Sequence, residues 1–188
     1  MTYRTSEFKS GLKVILGEDP YTIIKSEFVK PGKGQAFNRV KLRNLKTGRV
    51  LERTFKSGES LEAADVIEIE MQYLYNDGEC WYFMNPTTYE QQATDKSSVK
   101  DAIPWLKVQD MYQITIWNNL PLLVEPKNFV TLKIVRTDPS VRGDAASGSQ
   151  KVATLETGAT IRVPLFVEEN DWLRIDTRTG KYVSRVKQ

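Results

Sequence analysis

The chain has 188 residues, of which 40% are hydrophobic and 27% are charged, and its formal net charge is +3. It contains one cysteine, Cys80, so no intrachain disulfide can form, and it contains no histidine. The missing histidine excludes Ser-His-Asp and Cys-His catalysis and imidazole zinc ligands, and a lone cysteine excludes a thiolate zinc site.

The N-terminal residues lack the apolar core of a signal peptide, and no run approaches transmembrane length. We therefore expect a cytoplasmic protein with no membrane partner. Glycine-rich phosphate loops and dinucleotide motifs are absent. Two carboxylate pairs, Glu68/Glu70 and Glu168/Glu169, are candidates for acid–base chemistry, but solvated charges at a strand edge and a turn explain them more simply. The sequence predicts a protein that is not an enzyme and needs no cofactor.

Charge is distributed unevenly along the chain, which predicts three domains. Residues 1–64 carry 13 Lys/Arg and 7 Asp/Glu (net +6), residues 65–127 carry 4 and 10 (net −6), and residues 128–188 carry 10 and 7 (net +3). Each domain is near the lower size limit for a self-sufficient core.

Apolar runs separated by turn residues predict strands in all three domains. In the first domain they are Leu12–Leu16, Tyr21–Ile24, Ser26–Val29, Ala36–Leu45 and Val50–Lys56. In the second they are Val66–Tyr75, Cys80–Met84, Tyr112–Trp117 and Pro121–Val124, with a helical turn at Thr87–Gln92. In the third they are Phe129–Arg136, Thr160–Val167, Trp172–Asp176 and Tyr182–Val186, with a long loop at Thr137–Lys151. The last two domains fit the five-stranded barrel called the OB-fold.

The segment Lys30-Pro31-Gly32-Lys33-Gly34-Gln35 predicts a hairpin turn with Lys33 at its tip. Pro31 presets φ for the second turn position, and we expect Gly32 to take the positive φ of the third. Gly34 leaves little bulk beside the lysine. Lys33 is either an ordinary solvated turn residue or a functional amine that projects from the domain.

The strand after this turn alternates apolar and basic residues. Period two places Val40 and Leu42 on one face, and the opposite face holds Phe37, Arg39, Lys41 and Arg43. Residues 25–56 contain ten basic residues and two acidic ones. A solvated strand face is one explanation, and we favour a surface that contacts nucleic-acid phosphates.

Several segments resemble, in order, landmarks of the bacterial elongation factor P family. They are Ser26–Phe37, Tyr73–Glu79, Thr137–Pro139, Ala153–Gly158, Val163–Val167 and Asp176–Tyr182. The series covers essentially the whole chain and is far more specific than a single glycine turn. The resemblance implies an all-β protein of three small β-barrels, an SH3-like (KOW-type) domain followed by two OB-folds, in an L-shaped, tRNA-like arrangement.

The resemblance also implies a function. Members bind the 70S ribosome between the peptidyl and exit tRNA sites and relieve stalling at consecutive prolines, and we expect a monomer. Lys33 is then the tip residue that reaches the CCA end of peptidyl-tRNA. The implied tip supports are Pro31, Gly32 and Gly34, and the implied RNA-binding residues are Arg39, Lys41, Arg43, Gly143 and Asp144. In the third-domain loop, Ala145 replaces the family's threonine and removes a hydroxyl.

Around Lys33 the chain most resembles the branch in which a lysyl-tRNA-synthetase-like ligase adds β-lysine to the ε-amine. An aminopentanol group is the second choice for the modification. The alternative function is a general RNA-binding OB-fold protein or RNA chaperone in which Lys33 is incidental.

Overall fold

The computed structural model describes residues 1–138 and 150–187. Within them the protein is almost entirely β-sheet, and its strands form three antiparallel sheets. The all-β prediction with three β-domains is therefore confirmed. Two compact units are distinguished, one of residues 1–69 and 114–123 and the other of residues 70–113 and 124–188. No helix in the described residues is long and apolar enough to span a membrane.

The first sheet has six strands in the order β1-β6-β2-β3-β4-β5. Their bounds are Thr2–Arg4, Lys13–Leu16, Asp19–Val29, Phe37–Asn44, Val50–Lys56 and Ser60–Ala63 for β1 to β6, and a 3₁₀ turn at Thr5–Glu7 follows β1. The sheet encloses a core in which Val14, Val40 and Leu42 are fully buried. This core fixes the base of the long β3–β4 hairpin, whose ladder runs from Tyr21↔Asn44 to Val29↔Phe37.

The second sheet has five strands in the order β11-β10-β7-β8-β9. The bounds of β7 to β11 are Val66–Asn76, Cys80–Met84, Gln91–Asp95, Met111–Trp117 and Leu120–Glu125. The helical turn predicted at Thr87–Gln92 has the wrong bounds: a single turn closed by a hydrogen bond from the Tyr89 amide to the Asn85 carbonyl comes earlier, and β9 begins at Gln91 and pairs with β8. The short helix α1 lies later, at Lys96–Val99, where the Asp95 carboxylate accepts a hydrogen bond from the Ser98 amide at 2.9 Å.

The third sheet has five strands in the order β14-β13-β12-β15-β16. The bounds of β12 to β16 are Phe129–Thr137, Gln150–Leu155, Thr160–Pro164, Trp172–Asp176 and Lys181–Val186. A second 3₁₀ turn at Ile103–Trp105 contributes Trp105 to the core of this sheet. The strand β13 begins within the segment predicted as a loop. Gly143, Asp144 and Ala145, the predicted RNA-binding loop residues and their neighbour, lie outside the described residues.

Candidate functional site

The Lys33 turn connects β3 and β4, which are the two longest strands of the first sheet and pair with each other. β3 has 11 residues and β4 has 8, and residues 30–36 between them belong to no strand. Lys33 is exposed at this turn. Its amine makes no ion pair or hydrogen bond with the part of the chain that the structure describes. The turn lies where the sequence predicted it, and it presents an amine that has no ion-pair partner among the described residues.

The conformation of this turn differs from the predicted one. The residue with positive φ is Gly34, at +107°, and Gly32 does not adopt the left-handed region. A Cβ placed on Gly34 would lie 3.8 Å from Pro31 Cγ, so the proline ring packs beside the position of the missing side chain. Pro31 and Gly34 thus shape the turn together, and the expected φ at Gly32 is wrong.

The strand β4 alternates as predicted. Asn38, Val40 and Leu42 are buried, whereas Arg39, Lys41 and Arg43 are exposed on the opposite face. Cross-strand pairing adds to this face, because Lys25 on β3 lies opposite Lys41. We call the surface formed by Lys25, Arg39, Lys41 and Arg43 the basic face. It runs along the outside of the hairpin that carries Lys33.

Two carboxylates share this surface. Glu27 lies opposite Arg39, and Glu52 lies opposite Lys41. Arg39 Nε is 3.5 Å from Glu52 Oε1. These are both of the acidic residues of segment 25–56, so the register concentrates them beside the basic side chains. The basic face is therefore partly neutralised around Arg39. Lys41 and Arg43 make no ion pair among the described residues.

Buried asparagines at the two ends of β4 hold this strand in place, and Asn38 also ties the hairpin to the 3₁₀ turn at Thr5. Asn38 Nδ2 donates hydrogen bonds to the Thr5 carbonyl at 3.3 Å and to Ser26 Oγ at 3.2 Å. Each buried amide group is matched to a polar partner, so its desolvation is compensated. Sequence reasoning missed this anchor, because Thr5 is 33 residues away and no local motif joins the two positions.

At the other end of the hairpin, Asn44 Nδ2 donates to Asp19 Oδ2 at 3.0 Å, and Lys46 Nζ lies 3.0 Å from Asp19 Oδ1. These two contacts, first the hydrogen bond from Asn44 and then the one from Lys46, lower the pKa of Asp19. The carboxylate therefore stays ionised and neutralises Lys46. Lys46 also lies over the Trp117 ring, 4.9 Å from its centroid, and is not free to contact a ligand in the way Lys33 is.

The candidate catalytic groups do not assemble into a site. Glu68 pairs with Lys13 at 3.6 Å, and Glu168 and Glu169 are exposed at a turn. No cluster of three or more metal-ligating side chains occurs in residues 1–138 and 150–187. What the described geometry offers is an exposed amine at the end of a hairpin with a basic face beside it.

Comparison with known proteins identifies the family. The model described as "Elongation factor P (EF-P) KOW-like domain" matches residues 4–61, the "Elongation factor P (EF-P) OB domain" matches residues 66–124, and "Elongation factor P, C-terminal" matches residues 130–185. The chain belongs to the elongation factor P family. As a family member it is a translation elongation factor, and the family implies interaction with the ribosome and tRNA.

One of two similar solved structures supports this fold. A protein described as eukaryotic translation initiation factor 5A from Methanococcus jannaschii is 19% identical, with a TM-score of 0.53 over 66% of this chain and 93% of the other. A translation initiation factor eIF-5A family protein from Naegleria fowleri is 14% identical, with a TM-score of 0.49 over 67% and 96%. At such low identity the first likeness supports the fold only.

Proposed function

We propose that this factor binds the ribosome between the peptidyl and exit tRNA sites and stimulates peptide-bond formation at consecutive prolines. In this proposal Lys33 positions the CCA end of peptidyl-tRNA. The observation that carries the proposal is the exposed amine of Lys33 at the end of the β3–β4 hairpin, which has no ion-pair partner in the described part of the chain. The family's role in translation supports it, and a cytoplasmic location would follow from work on the ribosome.

The proposed mechanism is positioning and charge, without proton transfer by the factor. Proline reacts slowly because its geometry as a nucleophile is poor, and holding the reactants in a near-attack arrangement lowers such a barrier by several kcal/mol. A lysine amine donates charge-assisted hydrogen bonds to RNA oxygens. The seven-residue turn places that amine beyond the last strand pair, Val29↔Phe37.

The basic face would bind the tRNA backbone behind the tip. Lys41 and Arg43 are exposed and lack ion-pair partners in the described chain. A phosphate can therefore pair with either of them without first breaking a salt bridge. Arg39 is shared with Glu52 and contributes less. This division of roles within the basic face follows from the register of β4 with β5.

Modification of Lys33 forms part of the proposal. A β-lysyl group added by a lysyl-tRNA-synthetase-like ligase would extend the amine farther into the ribosome, and an aminopentanol group is the second choice. The exposure of Lys33 makes its amine accessible to such a ligase. The intact mass of protein purified from its native host distinguishes a lysyl addition, another addition and no addition.

The test is a reconstituted translation reaction on a message with three consecutive proline codons. Lys33→Ala is expected to abolish stimulation while retaining wild-type unfolding behaviour, because the side chain is exposed and makes no hydrogen bond or ion pair in the described chain. Lys30→Ala is the matched control, since Lys30 is also an exposed lysine of the same turn. If Lys33→Ala stimulates as well as the wild type, the chain is better explained as a general RNA-binding protein or RNA chaperone.

A further inference from the structure

The outer face of β12 and β15, together with the turn that follows β15, combines aromatic and basic side chains. Register places Phe129 opposite Asp176, Thr131 opposite Arg174, and Lys133 opposite Trp172. The intervening residues Leu132, Leu173 and Ile175 are buried in the core, so the named residues point outward. We call the surface formed by Phe129, Lys133, Trp172, Arg174 and Arg178 the arginine–aromatic face.

Three cations of the same compact unit lie over the two rings of this face. The guanidinium carbons of Arg174 and Arg178 are 4.4 and 5.2 Å from the Phe129 centroid. Lys107 Nζ is 4.9 Å from the Trp172 centroid. Such contacts hold the cations against the rings, but at an exposed site each contributes only modestly to stability. Phe129 remains 38% exposed despite these contacts.

The charges on this face are not equally available. Arg178 forms two hydrogen bonds of 3.0 Å with the Asp176 carboxylate, and this pairing lowers the pKa of Asp176. Lys107 pairs with Glu156 at 3.2 Å. Arg174 is exposed and makes no ion pair with any residue that the structure describes. Its guanidinium is thus held over a ring with its charge uncompensated.

We propose that the arginine–aromatic face binds an unpaired segment of RNA. Bases stack on aromatic rings and on guanidinium planes, and phosphates accept hydrogen bonds from arginine and lysine. An acidic protein segment would satisfy the charges but would leave the exposed ring of Phe129 unused. In chain order the face lies on the first and fourth strands of this sheet and on the turn after the fourth, whereas OB-folds usually hold oligonucleotides on the second and third. The proposal does not depend on Lys33.

The test measures binding of the full chain to a labelled uridine dodecamer by fluorescence anisotropy across a series of salt concentrations. Arg174→Ala is expected to weaken binding and to reduce the slope of log K against log salt by about 0.7, the value for one phosphate contact on a single strand. Phe129→Ala is expected to weaken binding at least about fivefold with no change in slope, because stacking is not ionic. Phe129→Leu preserves apolar burial and separates loss of stacking from loss of structure.

Arg162→Ala is the matched control, because Arg162 is an exposed arginine on β14 of the same sheet. It should leave binding and slope close to wild type. Equal effects of Arg174→Ala and Arg162→Ala would overturn the proposal, as would unchanged binding by both Phe129 variants. If Arg174→Ala reduces ribosome binding but not dodecamer binding, the face contacts a protein and the RNA proposal fails. Stimulation on the proline message is scored separately and tests only the role of Lys33.

Discussion

Arg39 and Glu52 form an ion pair across β4 and β5, with Nε 3.5 Å from Oε1 and side chains 49% and 51% exposed. An exposed pair of this kind contributes less than about 1 kcal/mol to stability. Its larger effect is on the electrostatic potential of the basic face, because it places a carboxylate between cations that are proposed to meet RNA. The pair therefore tunes binding more than folding.

Glu52→Gln is expected to strengthen ribosome binding and to steepen its dependence on salt. The substitution frees Arg39 and removes a negative charge opposite Lys41, so one more cation can pair with a phosphate. The measurement is the affinity for 70S ribosomes at several salt concentrations. Glu62→Gln is the control, because Glu62 is exposed on β6. Identical behaviour of the two variants would show that Glu52 has no special place on the basic face.

Replacing Lys41 and Arg43 together with Ala is expected to weaken ribosome binding and to flatten its salt dependence. Two phosphate contacts correspond to a reduction in slope of about 1.5. Folding should be preserved, because both side chains are exposed and the opposite face of β4 makes the core contacts. Equilibrium binding at several salt concentrations checks the expectation, and an unchanged slope would contradict the role assigned to the basic face.

Much of the first sheet was predictable because period-two alternation in β4 directly determines which side chains are buried. The composition of the segment also predicted a basic surface. It could not predict where Glu27 and Glu52 would lie, since that depends on the pairing register and on the irregularity between Ile23 and Lys25. A one-residue slip would have moved these carboxylates to the other face.

Other errors have similar causes. The strand Gln91–Asp95 is polar and carries little local β signal, and its position follows from pairing with β8. The strands Thr2–Arg4 and Ser60–Ala63 are short and pair with each other although they lie at opposite ends of the first sheet's sequence. No local pattern therefore predicts this pairing. The Lys33 turn was located correctly, but its conformation required a choice between two glycines that local turn rules did not resolve.

Gly34→Ala is expected to reduce stimulation on the three-proline message more than Gly32→Ala. Gly34 has φ of +107°, where an L side chain costs on the order of 1–2 kcal/mol, whereas Gly32 avoids that region and has open space around it. The strain would shift the turn that presents Lys33. Initial rates of tripeptide synthesis check this, with thermal unfolding as a control for global stability. Equal losses in both variants would argue against a specific role for the Gly34 conformation.

Tyr112→Phe is expected to destabilise the protein by about 1–3 kcal/mol and to change its response to alkaline pH. The Tyr112 hydroxyl accepts a hydrogen bond from the Lys107 amide at 2.7 Å and donates one to the Trp105 carbonyl at 2.8 Å. Removing it leaves both backbone groups without that partner. Burial of the hydroxyl raises its pKa to about 12.

Because the folded-state pKa of Tyr112 lies above the value of about 10 for an exposed tyrosine, folding favours the protonated form. Its contribution to stability is complete below pH of about 10 and is lost as pH rises towards 12. Urea unfolding at neutral pH and in that alkaline window measures the difference. The Phe variant should show a smaller loss between the two conditions than the wild type. The control is Tyr75→Phe, because Tyr75 is 52% exposed, and this variant should lose as much stability at alkaline pH as the wild type does. If Tyr112→Phe also loses as much as the wild type, the Tyr112 hydroxyl is not the source of the pH dependence.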